Sequence, residues 1–288
     1  MHRRFLVFVV LMALAAVPAF ANHSWGGYHW ARTSNPFTLK VYDNIDPVWE
    51  SYLQTAVSDW NRSTVLDFNV QWQSPLSSQR KCSSAAGVIE ICNEKYGQNG
   101  WLGIAGISIS GTHITKGYTK LNDTYYAMAT YNTPAYRQMV VCQEIAHDFG
   151  LDHQDETFDN ANLGSCMDYT NDPDGGAGGF SSNDPSNEHP NSHDYQQIQT
   201  IYSHLDSSTT IAATFNAMTQ SALRPASLPE ILNDVREFGV AIRYDGLGRA
   251  TDYFKVTGFS EEEHGMTGEL THVFWAPDAA GGDKRFRD

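Results

Sequence analysis

Hydrophobic and polar positions alternate along the first third of the chain in two registers. Phe37-Thr38-Leu39-Lys40-Val41-Tyr42 alternates with period two and predicts a strand. Leu66, Phe68, Val70 and Trp72 then point one way and Asp67, Asn69, Gln71 and Gln73 the other, which predicts a strand with one buried face. Between them Asp46-Pro47 opens a predicted helix, with Asp as N-cap and Pro at the first position; Val48, Tyr52, Ala56 and Trp60 mark its buried side. Short apolar runs at Gly87–Ile91, Ile107–Ser110, His113–Thr115 and Tyr118–Leu121, separated by glycines, predict further strands. The period returns to that of a helix from near Pro134 to Gly150, and again for Tyr195, Ile198, Tyr202 and Leu205, in a helix starting near Ser192 or Asp194. The pattern predicts an α/β (α+β) domain over 22–206. From Ser207 the composition turns to Ser, Thr and Ala, so 207–288 reads as a linker and a small accessory β unit. In it Ser227 caps a short helix with Ile231, Val235 and Phe238, Val240–Tyr244 and Tyr253–Val256 flank the hairpin signal Asp245-Gly246, and Leu270–Trp275 adds a strand. His264 and His272 read as isolated, and His189 and His193 as surface residues.

The helix that stops at Gly150 carries the chemistry. Gln143 and His147 are four apart and share a face, Glu144 lies on its flank, and Val141, Ile145 and Phe149 form the buried side. Gly150 can adopt the left-handed conformation that ends a helix and turns His153 back towards His147. A hydrolytic zinc site needs three protein ligands, an open position for water, and a carboxylate that is not a ligand to take the proton.

The segment Gln143–His153 reads Q-E-x-x-H-x-x-G-x-x-H and resembles the metzincin zinc metallopeptidase signature H-E-x-x-H-x-x-G-x-x-H, with Gln143 where that family has its first histidine. Met167, in Gly164-Ser165-Cys166-Met167-Asp168-Tyr169, resembles the Met-turn, and Tyr169 the M-x-Y of the astacin and serralysin branches. The resemblance covers roughly Phe37 to Asp206 and implies a twisted mixed sheet, a backing helix, an active-site helix and, as in the matrixins, a closing helix. It further implies one catalytic Zn²⁺ held by Gln143, His147 and His153, with Glu144 as general base and Tyr169 as a donor to the developing oxyanion. Gly150 and Met167 are then structural, and the partner is a protein or peptide substrate. By the same resemblance, Tyr118–Leu121 is the edge strand that pairs with extended substrate. Because a neutral amide is a weaker donor than imidazole, the alternative is an inactive peptide- or protein-binding module on the same fold.

Residues 1–21, a basic start, an apolar run from Phe5 to Val17 and Ala19-Phe20-Ala21, read as a secretory signal peptide. The stretch between Ala21 and Phe37 is too short for a large pro-domain and carries no cysteine switch. A formal net charge of −14 argues against nucleic-acid or anionic-membrane partners. Four cysteines, with no C-x-x-C pair, suit disulfides in an oxidising compartment. Three pairings are open, of which Cys82–Cys92 and Cys142–Cys166 are favoured. The acidic loop 171–191 lacks EF-hand spacing, so a calcium site there has composition in its favour and nothing more. Substrate preference and oligomeric state leave no mark in the sequence.

Overall fold

The computed structural model describes residues 23–71, 79–82, 84–176, 183–213, 237–260 and 265–277. The proposed signal peptide, Trp72, the helix around Ile231 and Val235, and His264 lie outside the described residues. The elements are β1 (His29–Trp30), β2 (Phe37–Asn44), α1 (Pro47–Trp60), β3 (Leu66–Gln71), β4 (Ile89–Glu94), β5 (Trp101–Ser110), β6 (His113–Asn122), α2 (Asp123–Tyr126), α3 (Pro134–His147), α4 (Ser192–Ile201), β7 (Val240–Tyr244), β8 (Ala250–Ser260) and β9 (Gly265–Trp275). They make a mixed α+β fold on one nine-stranded sheet of order β3-β2-β4-β6-β5-β9-β8-β7, with β1 paired to β6. The first four strands of that order run parallel, and every pairing from β6 to β7 is antiparallel.

Helix α1 begins after Asp46 with Pro47 in its first turn, as the pattern predicts, but its buried residues are Trp49, Leu53, Ala56 and Trp60, and Val48 is exposed. A strict four-residue step overshoots a full turn by about 40° each time, so 48-52-56-60 drifts off one face while 49-53-56-60 stays on it. Trp60 caps this face by donating its indole N–H to the Cys142 carbonyl of α3 at 3.2 Å. The main core lies between these helices and the sheet, and includes Trp30, Trp49, Trp60, Val141, Ile145, Phe149 and Met167. A second cluster joins Trp101 and Ile104 of β5 to Tyr253, Val273 and Trp275. Cys82 is bonded to Cys92, and Cys142 to Cys166.

Two expectations are corrected here. Tyr118–Leu121 is no edge: it belongs to β6, which lies between β4 and β5. The strand beyond it is β5, and its outer side is taken by β9 from Ser110 opposite Thr267 to Trp101 opposite Trp275. The C-terminal strands therefore extend the main sheet, and Leu270 and Phe274 of β9 are part of the main core. Pairing across so long a stretch of chain leaves no local pattern in the sequence.

Candidate metal centre

Helix α3 starts at Thr133, whose hydroxyl accepts the Tyr136 N–H at 3.2 Å and satisfies one orphan donor of the first turn. It ends at His147, and the chain turns at Gly150 with φ of +94°. A side chain there would strike the Tyr28 carbonyl, so both the backbone angle and the close approach require glycine. The turn brings His153 beside His147, with ring centroids 4.8 Å apart.

A third imidazole completes the group. His272 of β9 lies 4.3 Å from His147 and 4.5 Å from His153 between ring centroids. One ring nitrogen of each of the three lies within 4.8 Å of the others. His272 read as isolated in sequence; the sheet places it here because Ala105 of β5 is its cross-strand partner. One signal was present. Leu270, His272 and Phe274 share a strand face, and an imidazole between two core apolar residues is a buried one.

Each imidazole is oriented from behind. His147 Nδ1–H donates to the Leu151 carbonyl at 2.9 Å, His153 Nδ1–H to Glu156 at 3.3 Å and His272 Nδ1–H to Asp252 at 2.8 Å. With Nδ1 carrying the proton, each Nε2 keeps its lone pair, as metal-binding histidines require. Nε2 of His147 and of His153 is buried without a partner, and that of His272 lies 3.0 Å from the Tyr169 hydroxyl. Burial, and then the neighbouring His272, hold His147 and His153 well below the ordinary imidazole range, so both are neutral at neutral pH. Burial lowers His272 too, against the pull of Asp252.

The outer residues form a network the sequence did not announce. Arg243 of β7 contacts Asp152, Glu156 at 2.9 Å and Asp252 at 3.2 Å, tying the supports of His153 and His272 together. The Trp25 indole N–H donates to Asp252 at 3.1 Å. Burial and the adjacent Asp252 push Asp152 up to about 8, with Arg243 opposing.

Glu144 is fully buried, and its carboxyl meets no hydrogen-bonding group beyond a loose contact with the Ala105 backbone N–H. Burial, then Asp148 and Asp252, push its carboxyl well above the ordinary range. Gly103 of β5 lies against it, where a Cβ would strike the carboxyl group and Val140. Gln143 donates its amide N–H to the Cys166 carbonyl at 2.8 Å and keeps a buried oxygen with no partner. Met167 is buried in the loop beside Cys166, its N–H held by the Ser165 hydroxyl at 2.9 Å. Tyr169 stacks on Phe274 with centroids 4.8 Å apart and donates its hydroxyl to the Val273 carbonyl at 3.1 Å. Burial pushes its phenol up. Unpaired buried ring nitrogens and an unpaired amide oxygen each carry an uncompensated desolvation cost. A divalent cation among the three imidazoles would remove it for their nitrogens, which together are a zinc donor set.

No protein-family model and no curated protein matches the chain. Solved structures do align with it. High choriolytic enzyme 1, a hatching enzyme zinc-protease from Oryzias latipes (medaka fish), is 12% identical over 61% of this chain and 94% of its own, with a TM-score of 0.34. Myroilysin is 13% identical over 60% of this chain and 96% of its own, also at 0.34. A likeness at that level carries no argument about this chain, whose chemistry is read from the geometry of its own site.

Proposed function

We propose that the chain is a secreted zinc-dependent peptide hydrolase whose metal is held by His147, His153 and His272. The observation that carries this reading is the convergence of three buried, neutral imidazoles, each with Nδ1 engaged; Glu144 is buried on the helix that carries His147. Zinc held there would supply Lewis acidity, polarising a peptide carbonyl and acidifying water. Glu144 takes the water proton at its carboxylate and returns it to the leaving amine; its buried setting makes the carboxylate a stronger base than in water. Gln143 keeps an amide oxygen free as a weaker donor, and Cys166 fixes its orientation. Tyr169 gives its one hydroxyl proton to the Val273 carbonyl and lies 3.0 Å from His272; turned away from that carbonyl, the hydroxyl would be a donor to a developing oxyanion. The leader at 1–21 and the two disulfides support export; no helix among the described residues is long and apolar enough to cross a membrane.

One observation favours a second reading. Gln143, Glu144, His147 and His272 are fully buried, and β9 covers the side of β5 to which an extended peptide would add. On that reading the site is a closed metal centre in a binding module, and hydrolysis requires β9 to give way. Elemental analysis beside casein or fluorescent-peptide cleavage, with and without chelator, separates the two. A peptidase binds zinc and cleaves, and Glu144→Ala lowers cleavage by about 10²–10⁴-fold while retaining zinc. Zinc without cleavage assigns the closed centre. Absence of zinc from the wild-type protein overturns both.

A further inference from the structure

We propose a second zinc site, sharing no residue with the first, built from His29, His204 and Asp206. Its donors come from two separate parts of the chain. His29 is in β1 and His113 begins β6, and the two are direct cross-strand partners. His204 and Asp206 follow the end of α4.

Four distances define the cluster. Asp206 Oδ1 lies 3.5 Å from Nε2 of His29, 3.4 Å from Nε2 of His113 and 3.6 Å from Nε2 of His204. Nε2 of His204 is 3.1 Å from Nε2 of His29. Tetrahedral zinc with bonds of 2.0–2.1 Å places neighbouring donor atoms about 3.3 Å apart. The separations among His29, His204 and Asp206 therefore surround a point that zinc would fit, and these three keep their donors within 4.8 Å of one another, with His113 touching Asp206 from outside the group.

The Gly27 carbonyl accepts Nδ1–H of His29 at 3.0 Å, so the neutral ring presents a lone pair at Nε2. That lone pair faces the nitrogen of His204 and the carboxylate oxygen of Asp206 together. His204 can donate Nε2–H to it at 3.1 Å, but the carboxylate oxygen 3.5 Å away brings no proton to a neutral His29 ring; a shared cation would accept from both. The other carboxylate oxygen is already held from behind: Arg32 reaches Oδ2 of Asp206 through Nη1 at 2.8 Å and through its backbone N–H at 3.1 Å. A ligating carboxylate with its second oxygen engaged by an outer residue is the usual support of a metal ligand. Two nitrogens and one oxygen form a donor set suited to zinc. The donors join β1 to the chain leaving α4, so the role of the site is to fasten the N-terminal segment there.

The test uses the mature protein and zinc itself. Wild type, His204→Ala and His147→Ala are stripped with chelator, reloaded, dialysed and assayed for zinc per chain, and thermal melts are recorded before and after zinc. We expect two zinc ions per wild-type chain and one in each variant. We also expect His147→Ala to keep a zinc-dependent rise in Tm that disappears when His204→Ala is added. His204 is half exposed, so its removal leaves the core intact; Asp206→Asn provides a second variant, and circular dichroism in chelator reports the fold of each. Weakening at this site should exceed the 10–100-fold of an outer-residue change. Equal zinc content and equal affinity in wild type and His204→Ala overturn the proposal and leave the first metal centre standing. One zinc in wild type, lost in His147→Ala, overturns it as well.

Discussion

Asp252 does not join the three imidazoles, yet it fixes which nitrogen of His272 faces them, and it is itself held by Trp25 and Arg243. Asp252→Asn should therefore weaken zinc binding by about 10–100-fold, read by competition with a chelator. Unchanged affinity would remove His272 from the ligand set. His23 offers a cleaner titration. Burial lowers its pKa to about 4, below the ordinary value of 6.5 that it regains on unfolding. Between those values the unfolded chain binds the extra proton. The stability that His23 contributes is thus complete above about pH 6.5 and is lost as pH falls towards about 4. His23→Gln should flatten the acid side of the stability profile by up to about 1.4 kcal/mol per pH unit, measured by urea unfolding across that window.

At the scale of elements, Gly150 decides whether α3 can deliver His147 and His153 to one point. Gly150→Ala meets both a positive φ and the Tyr28 carbonyl. It should cost about 2 kcal/mol or more, seen as a lower urea midpoint without a change in slope. This element was legible in the sequence. The residues from Thr133 to His153 carry their cap, period, stop and spacing within a short stretch, and the closing helix α4 likewise declares itself through Tyr195 and Ile198. What stayed hidden depends on pairing between distant strands. β9 alternates like any half-buried strand, and nothing local says that it joins β5 or that Ala105 will stand opposite His272. The carboxylates gathered by Arg243 come from two distant segments, Asp152 with Glu156 and then Asp252, and stayed hidden for the same reason. The buried face of α1 was read correctly at Ala56 and Trp60 but one residue early in its first half, at Val48 and Tyr52 for Trp49 and Leu53, a matter of period rather than of distance along the chain.

For the whole molecule, the proposed centre links α3 to the C-terminal hairpin, so metal should stabilise the docking of β9. Zinc at 100 times its dissociation constant contributes about 2.7 kcal/mol to the bound fold. Removing it should lower Tm and speed amide exchange at Leu270–Phe274 in β9, while the β2–β3 pair keeps its protection; equal loss in both would mean that metal holds the entire fold rather than this junction. The order of synthesis adds a consequence. His272 leaves the ribosome 119 residues after His153. At ordinary rates of translation that is roughly 6–24 s during which the helix, its glutamate and two histidines exist without the third imidazole. On the proposed ligand set, a nascent chain is chemically silent towards its neighbours and towards itself, and the centre is assembled only once its last strand has been made.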